Sequence, residues 1–180
     1  MKNIVQKEDK VLRQKAEEVS LDQIGSPKIK KILKEMSDSL KSQSDGVAIA
    51  APQIGYSLRI FVVSGKIFDQ EFIGGEDSPE FQKEKTGKTP DLVFINPKIS
   101  KLSQEKDWVP EGCLSVRWLY GKTFRSKKAT VTAYDENGKK FTRGASGLLA
   151  QIFQHETDHL DGTLFIDHAK DIKEEKPTYE

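Results

Sequence analysis

The sequence predicts an α+β protein in which two helices accompany several short strands. Three observations carry this. Ile29, Ile32, Leu33, Met36 and Leu40 fall on one helical stripe, and Leu148, Ile152, His155 and His159 trace a second. Residues 59–64 and 92–102 hold strand-type runs rich in Ile, Val and Phe. Between 127 and 141, Ala129, Val131 and Ala133 alternate with Thr130, Thr132 and Tyr134, the period of a half-buried strand.

In chain order, residues 1–25 read as an irregular arm anchored by Val11, Leu12, Ala16, Val19 and Leu21. The first helix is expected over 26–43, with Ser26 as N-cap and Pro27 in the first turn. The small-residue stretch 45–55 surrounds one polar side chain, Gln53, after Pro52. It fits either a close backbone approach to a ligand or a tightly packed strand and turn. Residues 59–64 form a strand buried on both faces. Residues 65–91, polar and rich in Gly, Glu, Asp, Lys and Pro, form a surface insertion with a short strand at 68–73. Strands at 92–96 and 99–102 are expected to be broken by Asn96-Pro97.

The segment 108–116 places the sole cysteine, Cys113, between Gly112 and Leu114. Such a cysteine serves as a small buried hydrophobe, a metal ligand or a nucleophile. Asn137-Gly138 has the composition of a two-residue hairpin turn. The second helix starts near Ser146 as N-cap and stops at Gly162, leaving a charged, frayed tail over 170–180.

Composition bounds the function. The chain has 180 residues, which suits one domain spanning 1–180 with a core that needs no disulfide. Lys and Arg number 29 against 28 Asp and Glu, so no global field points to nucleic acid, and no direct nucleic-acid binding is expected. No apolar run approaches membrane-spanning length, and residues 1–7 lack a signal-peptide core. With one cysteine, no internal disulfide forms; a reducing cytoplasm is the expected location.

The chemistry centres on residues 154–160, Gln-His-Glu-Thr-Asp-His-Leu. Histidines four apart on a helix share one face, about 5–6 Å from each other. His155 and His159 can therefore reach one metal, with Glu156 within reach of water bound to it. Alone, this motif also fits a solvated polar face, but both histidines continue the line of Leu148 and Ile152 towards the interior. A catalytic tetrahedral site needs a third protein ligand. The metzincin pattern requires a histidine at 165, where Phe165 stands, and a downstream glutamate exists only in the tail. Cys113 is the remaining candidate, and a thiolate with two imidazoles suits a divalent metal of borderline softness.

Three separated segments, 46–53 (Gly-Val-Ala-Ile-Ala-Ala-Pro-Gln), 111–115 (Glu-Gly-Cys-Leu-Ser) and 154–159 (Gln-His-Glu-Thr-Asp-His), together resemble the signature motifs of the peptide deformylases. Leu12-Arg13, Ile95-Asn96-Pro97, Arg125 and 147–150 extend the likeness across roughly residues 4–166. The chain departs from the pattern at Glu8, Ala48, Ile49, Arg117 and Gln151, the last two replacing a proline and an arginine.

The resemblance implies antiparallel or mixed sheets packed around the helix that carries the His-Glu-x-x-His motif. It implies that Cys113, His155 and His159 bind one divalent ion, ferrous iron in the cell, with zinc, nickel or cobalt as substitutes. A water in the fourth position would be the nucleophile and Glu156 the general base and acid. The Gln53 side chain and the Leu114 backbone N–H would donate to the oxyanion. The substrate would be the N-formyl-methionine end of newly synthesised polypeptides, releasing formate, and a transient ribosome contact is left open. Val47, Ala48, Val109, Glu111, Gly112, Leu148 and Ile152 are the residues expected around the substrate. Two other readings compete: a different metal-dependent amidase or peptidase, and a binding module with a structural metal.

Overall fold

Phe153 shows how the fold is held together. It is fully buried, packs edge-on against Phe94 with ring centroids 5.2 Å apart, and lies beside Phe61, which stacks on Phe94 at 4.5 Å. These rings fix helix α2 (Gly147–Leu160) to a sheet. The protein is described here by a computed structural model covering residues 1–69 and 89–177. Among the described residues, a five-stranded sheet runs in the order β1 (Ala48–Ala50), β2 (Ile60–Val63), β3 (Leu92–Leu102), β6 (Lys128–Tyr134), β7 (Lys140–Ser146). A second sheet joins β4 (Lys106–Gly112), β5 (Leu119–Ser126) and β8 (Lys170–Glu174). Every pairing between these strands is antiparallel. Helix α1 (Pro27–Lys41) covers part of the first sheet, and α2 contacts strands of both. The expected α+β architecture is thus the one observed.

Local chemistry explains the elements. Ser26 Oγ accepts from the Ile29 N–H at 3.3 Å, capping α1, whose Ile29, Ile32, Met36 and Leu40 are buried. At the other end of α2, the Arg59 guanidinium donates to Leu160 O at 3.1 Å and to Asp161 at 2.8 Å, serving orphan carbonyls with a cation. Gly162 then leaves the helix with φ +76°, as a C-terminal stop should. Gln154 bonds both the N–H and the carbonyl of Ser126, each at 2.9 Å, tying α2 to the end of β5.

Several expectations are corrected. Asn96-Pro97 does not break β3; the strand continues through a register shift between Ile95 and Lys98. Proline's missing N–H is harmless at such an irregularity. The hairpin between β6 and β7 is not a two-residue turn. Residues 135–139 form the loop, and Asp135 Oδ1 accepts from the N–H groups of Asn137 and Lys139, both at 2.9 Å. The tail is not frayed over 170–174, because β8 pairs with β5. Ser146 precedes α2, but its side chain makes no cap bond. Leu21 is 59% exposed and anchors nothing, whereas Leu12, Ala16 and Val19 are buried. The start of the expected insertion is also not surface: 65–68 form a 3-10 turn with Gly65 and Ile67 buried. Of the strand expected at 68–73, Phe68 ends this 3-10 turn and Asp69 follows it, while residues 70–73 lie outside the described residues.

Asn96 is the most constrained point of β3. It holds φ +50°, and its side chain both accepts from Val19 N–H and donates to Val19 O, each at 2.8 Å and buried. Asparagine tolerates this left-handed geometry better than other non-glycine residues and supplies both hydrogen bonds. Asn96→Ala strands a buried donor and a buried acceptor and is expected to lose about 2–4 kcal/mol in urea unfolding. A loss below about 0.5 kcal/mol, the range of an ordinary surface change, would contradict this.

Candidate metal centre

Helix α2 supplies two imidazoles and a carboxyl, and the end of β4 supplies a sulfur. Cys113 Sγ lies 3.2 Å from His159 Nε2, and the donor atoms of Cys113, His155 and His159 all fall within 4.8 Å of one another. The residues named from the sequence therefore meet, although 42 positions separate Cys113 from His155. His155 and His159 are neighbours on the helix, with ring centroids 4.9 Å apart. Two imidazoles and a sulfur suit a divalent cation of borderline softness.

The surrounding shell orients these donors. Glu111, 7% exposed, receives His155 Nδ1 at 2.6 Å, leaving Nε2 of that ring for the centre. Arg125 donates to both oxygens of Glu111, from Nη2 at 2.6 Å and Nε at 3.1 Å, while Thr123 Oγ1 donates at 2.5 Å. Arg125 also reaches Asp158 at 2.7 Å, and Gln151 bonds Glu111 and Pro110 O. Thr123 and Arg125 face inward from β5 as polar residues because Glu111 is there to meet them. Arg125 came to attention only through the family likeness, and Thr123 not at all. No local sequence signal marks them, because on β5 the buried alternating positions are polar.

Electrostatics follow from burial and partners. Burial works to raise the Glu111 carboxyl, but the hydrogen bonds from His155 and Arg125 outweigh it and hold Glu111 well below the usual carboxylate range. Burial also opposes the charge on His155, yet Cys113 and Glu111 beside it hold its pKa well above the ordinary value. A cation bound here replaces that proton. His159 moves the other way, pushed down by burial and by the charge on His155. Glu156 is raised to about 7, chiefly by burial. Its Oε2 is buried and has no hydrogen-bond partner among the described residues.

A cavity of about 360 Å³ opens onto these groups. Val47, Ala48, Gln53, Glu111, Gly112, Leu114, Leu148 and Ile152 line it, together with Cys113, His155 and Glu156. Of the residues expected around the substrate, Val109 alone does not. Leu148, 42% exposed, faces the opening rather than the core. Asp45, Arg117 and Tyr120 also line the cavity and were not anticipated there. Tyr120 packs on Gly112 so closely that a Cβ there would sit 2.7 Å from its ring, so only glycine fits before Cys113.

Gln53 is held in one orientation. Its Oε1 accepts from Ala50 N–H at 2.8 Å, which turns Nε2 towards Ser115 Oγ at 3.1 Å and Cys113 Sγ at 3.6 Å. Ser115 N–H approaches Cys113 Sγ at 3.4 Å, and Val116 N–H bonds Cys113 O at 3.0 Å.

Glu111→Gln retains the shape but loses the charge that orients His155. It is expected to weaken metal retention about 10–100-fold, read by chelator competition on the folded protein. Unchanged retention would show that the Glu111–His155 contact does not tune the centre.

A family model described as polypeptide deformylase matches residues 1–175. The chain is 41% identical over 160 residues to peptide deformylase 2 of Clostridium acetobutylicum, covering 89% of each chain. It is 39% identical over 167 residues to the chloroplastic peptide deformylase 1A of Solanum lycopersicum, spanning 93% of this chain and 59% of that longer one. The crystal structure of a peptide deformylase from Legionella pneumophila superposes with a TM-score of 0.76 at 32% identity, covering 95% of this chain and 87% of that one. Motifs, fold and near full-length similarity agree, and the chain belongs to the peptide deformylase family of metal-dependent hydrolases.

Proposed function

We propose that this chain removes the N-formyl group from the initiating methionine of new polypeptides through the centre built by Cys113, His155 and His159. One observation supports the assignment of roles: Cys113, His155 and the buried Glu156 line a single cavity, and His159 Nε2 lies 3.2 Å from Cys113 Sγ beside it. Cys113 Sγ and the Nε2 atoms of the two histidines would hold the ion, which we take to be ferrous iron in the cell, with zinc, nickel or cobalt able to replace it. When bound, such an ion polarises a carbonyl and makes water nucleophilic at neutral pH.

The chain's own residues do the rest. As water adds to the formyl carbon, Glu156 takes its proton. When the C–N bond breaks, Glu156 passes that proton to the departing amine, and formate leaves. A carboxyl raised to about 7 by burial suits both halves of this exchange. Gln53 Nε2 and the Leu114 N–H donate to the formyl oxygen as charge develops on it. Gln53 is preorganised for this by Ala50 N–H and Ser115 Oγ, so little reorganisation accompanies the reaction.

Strand β1 is an edge strand whose residue Ala48 lines the cavity, which supports binding of the peptide as an added strand. Val47, Gly112, Leu148 and Ile152 supply walls for the methionine side chain. Ala48 presents a methyl group where the family pattern has glycine. We read the chain as one domain, with 65–91 as an insertion whose ends meet where Gly65 N–H bonds Asp91 at 3.1 Å. Among the described residues no helix is long and apolar enough to cross a membrane. A cytoplasmic location, and transient contact with the ribosome as the source of substrate, complete the proposal.

Formate release from a formyl-Met peptide, with metal analysis of the same sample, tests these roles. Glu156→Gln is expected to keep the metal and lose about 10²–10⁴ in kcat. Gln53→Ala is expected to lose about 10²–10³ in kcat with metal retained. Full turnover by the Glu156 variant would overturn its assignment as the base.

A further inference from the structure

Two adjacent residues of the N-terminal arm touch the two segments that carry the oxyanion donors. Val5 N–H bonds Gln53 O at 2.9 Å. The Gln6 side chain donates from Nε2 to Leu114 O at 3.1 Å and accepts from the Arg117 N–H at 3.3 Å. The arm is itself tied to α1, since Lys2 N–H donates to Ser39 Oγ at 3.2 Å and Ser39 Oγ donates to Lys2 O at 2.7 Å.

The loop 113–117 needs this hold. Within it Val116 N–H bonds Cys113 O and Ser115 N–H approaches Cys113 Sγ, while Gln53 Nε2 donates to Ser115 Oγ. The Leu114 side chain packs into the α1-side core, close to Gly46, and Arg117 pairs with Asp45. These two contacts hold side chains; the Leu114 N–H lies in the same peptide plane as Cys113 O, so its direction depends on the turn keeping its shape. Gln6 bonds both Leu114 O in the middle of the turn and the Arg117 N–H at its end, so it supports the turn whose Val116 N–H to Cys113 O bond holds the peptide plane of the Leu114 N–H.

We propose that the Val5-Gln6 pair is a positioning element for deformylation, in which Gln6 aims the Leu114 N–H while Val5 holds the Gln53 segment. This rests on the assignment of Leu114 and Gln53 as donors to the developing oxyanion. Gln6 touches neither substrate nor metal, and its exposure to solvent limits its effect.

The test uses full-length, metal-loaded protein and the substrate formyl-Met-Ala-Ser. Four proteins are compared: the parent, Gln6→Met, a Leu114 amide-to-ester replacement with leucic acid, and both changes together. Gln6→Met is expected to lower kcat about three- to tenfold, with KM, metal content and the urea midpoint unchanged. The ester alone lowers kcat by more, and adding Gln6→Met to it costs nothing further. Equal kcat for the parent and Gln6→Met overturns the positioning role while leaving the donors intact. Full kcat in the ester protein overturns the Leu114 donor and the proposal with it. Multiplying losses in the combined protein, or a change confined to KM or stability, shows that Gln6 acts elsewhere and also overturns it.

Discussion

The buried carboxylate of Glu111 is the contact on which the rest of the site depends. It takes hydrogen bonds from Arg125, Thr123, Gln151 and His155, thereby joining β4, β5 and α2 at one point. Removing two charges from water is costly, and such a pair stabilises only when its remaining hydrogen bonds are met. Here they are met, with both Arg125 and Glu111 only 7% exposed. Glu111 also lies two residues before Cys113, so the carboxylate that orients His155 sits on the strand that delivers Cys113.

The architecture follows from the need to bring polar groups inside without leaving them unpaired. Helix α2 is buried on more than one side. Phe153 and Ala150 pack against the five-stranded sheet, while Glu156 and His159 are held close to the cavity. An apolar anchor on one face lets the other carry groups that are expensive to bury. Among the described residues Glu156 Oε2 and His159 Nδ1 here, and Ser126 Oγ at the end of β5, are buried without a hydrogen-bond partner. Unpaired buried groups of this kind concentrate where chemistry is done.

Much of this was legible in the sequence, for reasons that are particular to each segment. Helix α1 was readable because cap, proline and stripe agree. The shared face of His155 and His159 was readable because the two histidines stand four apart on a helix. Strand β5 was not, because its inward positions are Thr123 and Arg125 instead of apolar residues, so alternation points the wrong way. Strand β8 resembled a tail since all five of its residues are exposed. Asn137-Gly138 suggested a two-residue turn, but Asp135 organises a longer one through its own side chain. The contacts of Gln6 and Ser115 carry no local signature; they arise from residues that are distant in sequence.

On the proposed reading one sulfur and two imidazoles hold the ion, and among the described residues no fourth protein donor joins them. The metal K-edge absorption spectrum of protein loaded with one equivalent of zinc tests it most directly. The account predicts one sulfur scatterer at about 2.3 Å and two imidazole nitrogens at about 2.0–2.1 Å, with the last position open to small ligands. A spectrum without sulfur, or one showing four protein donors, would contradict it.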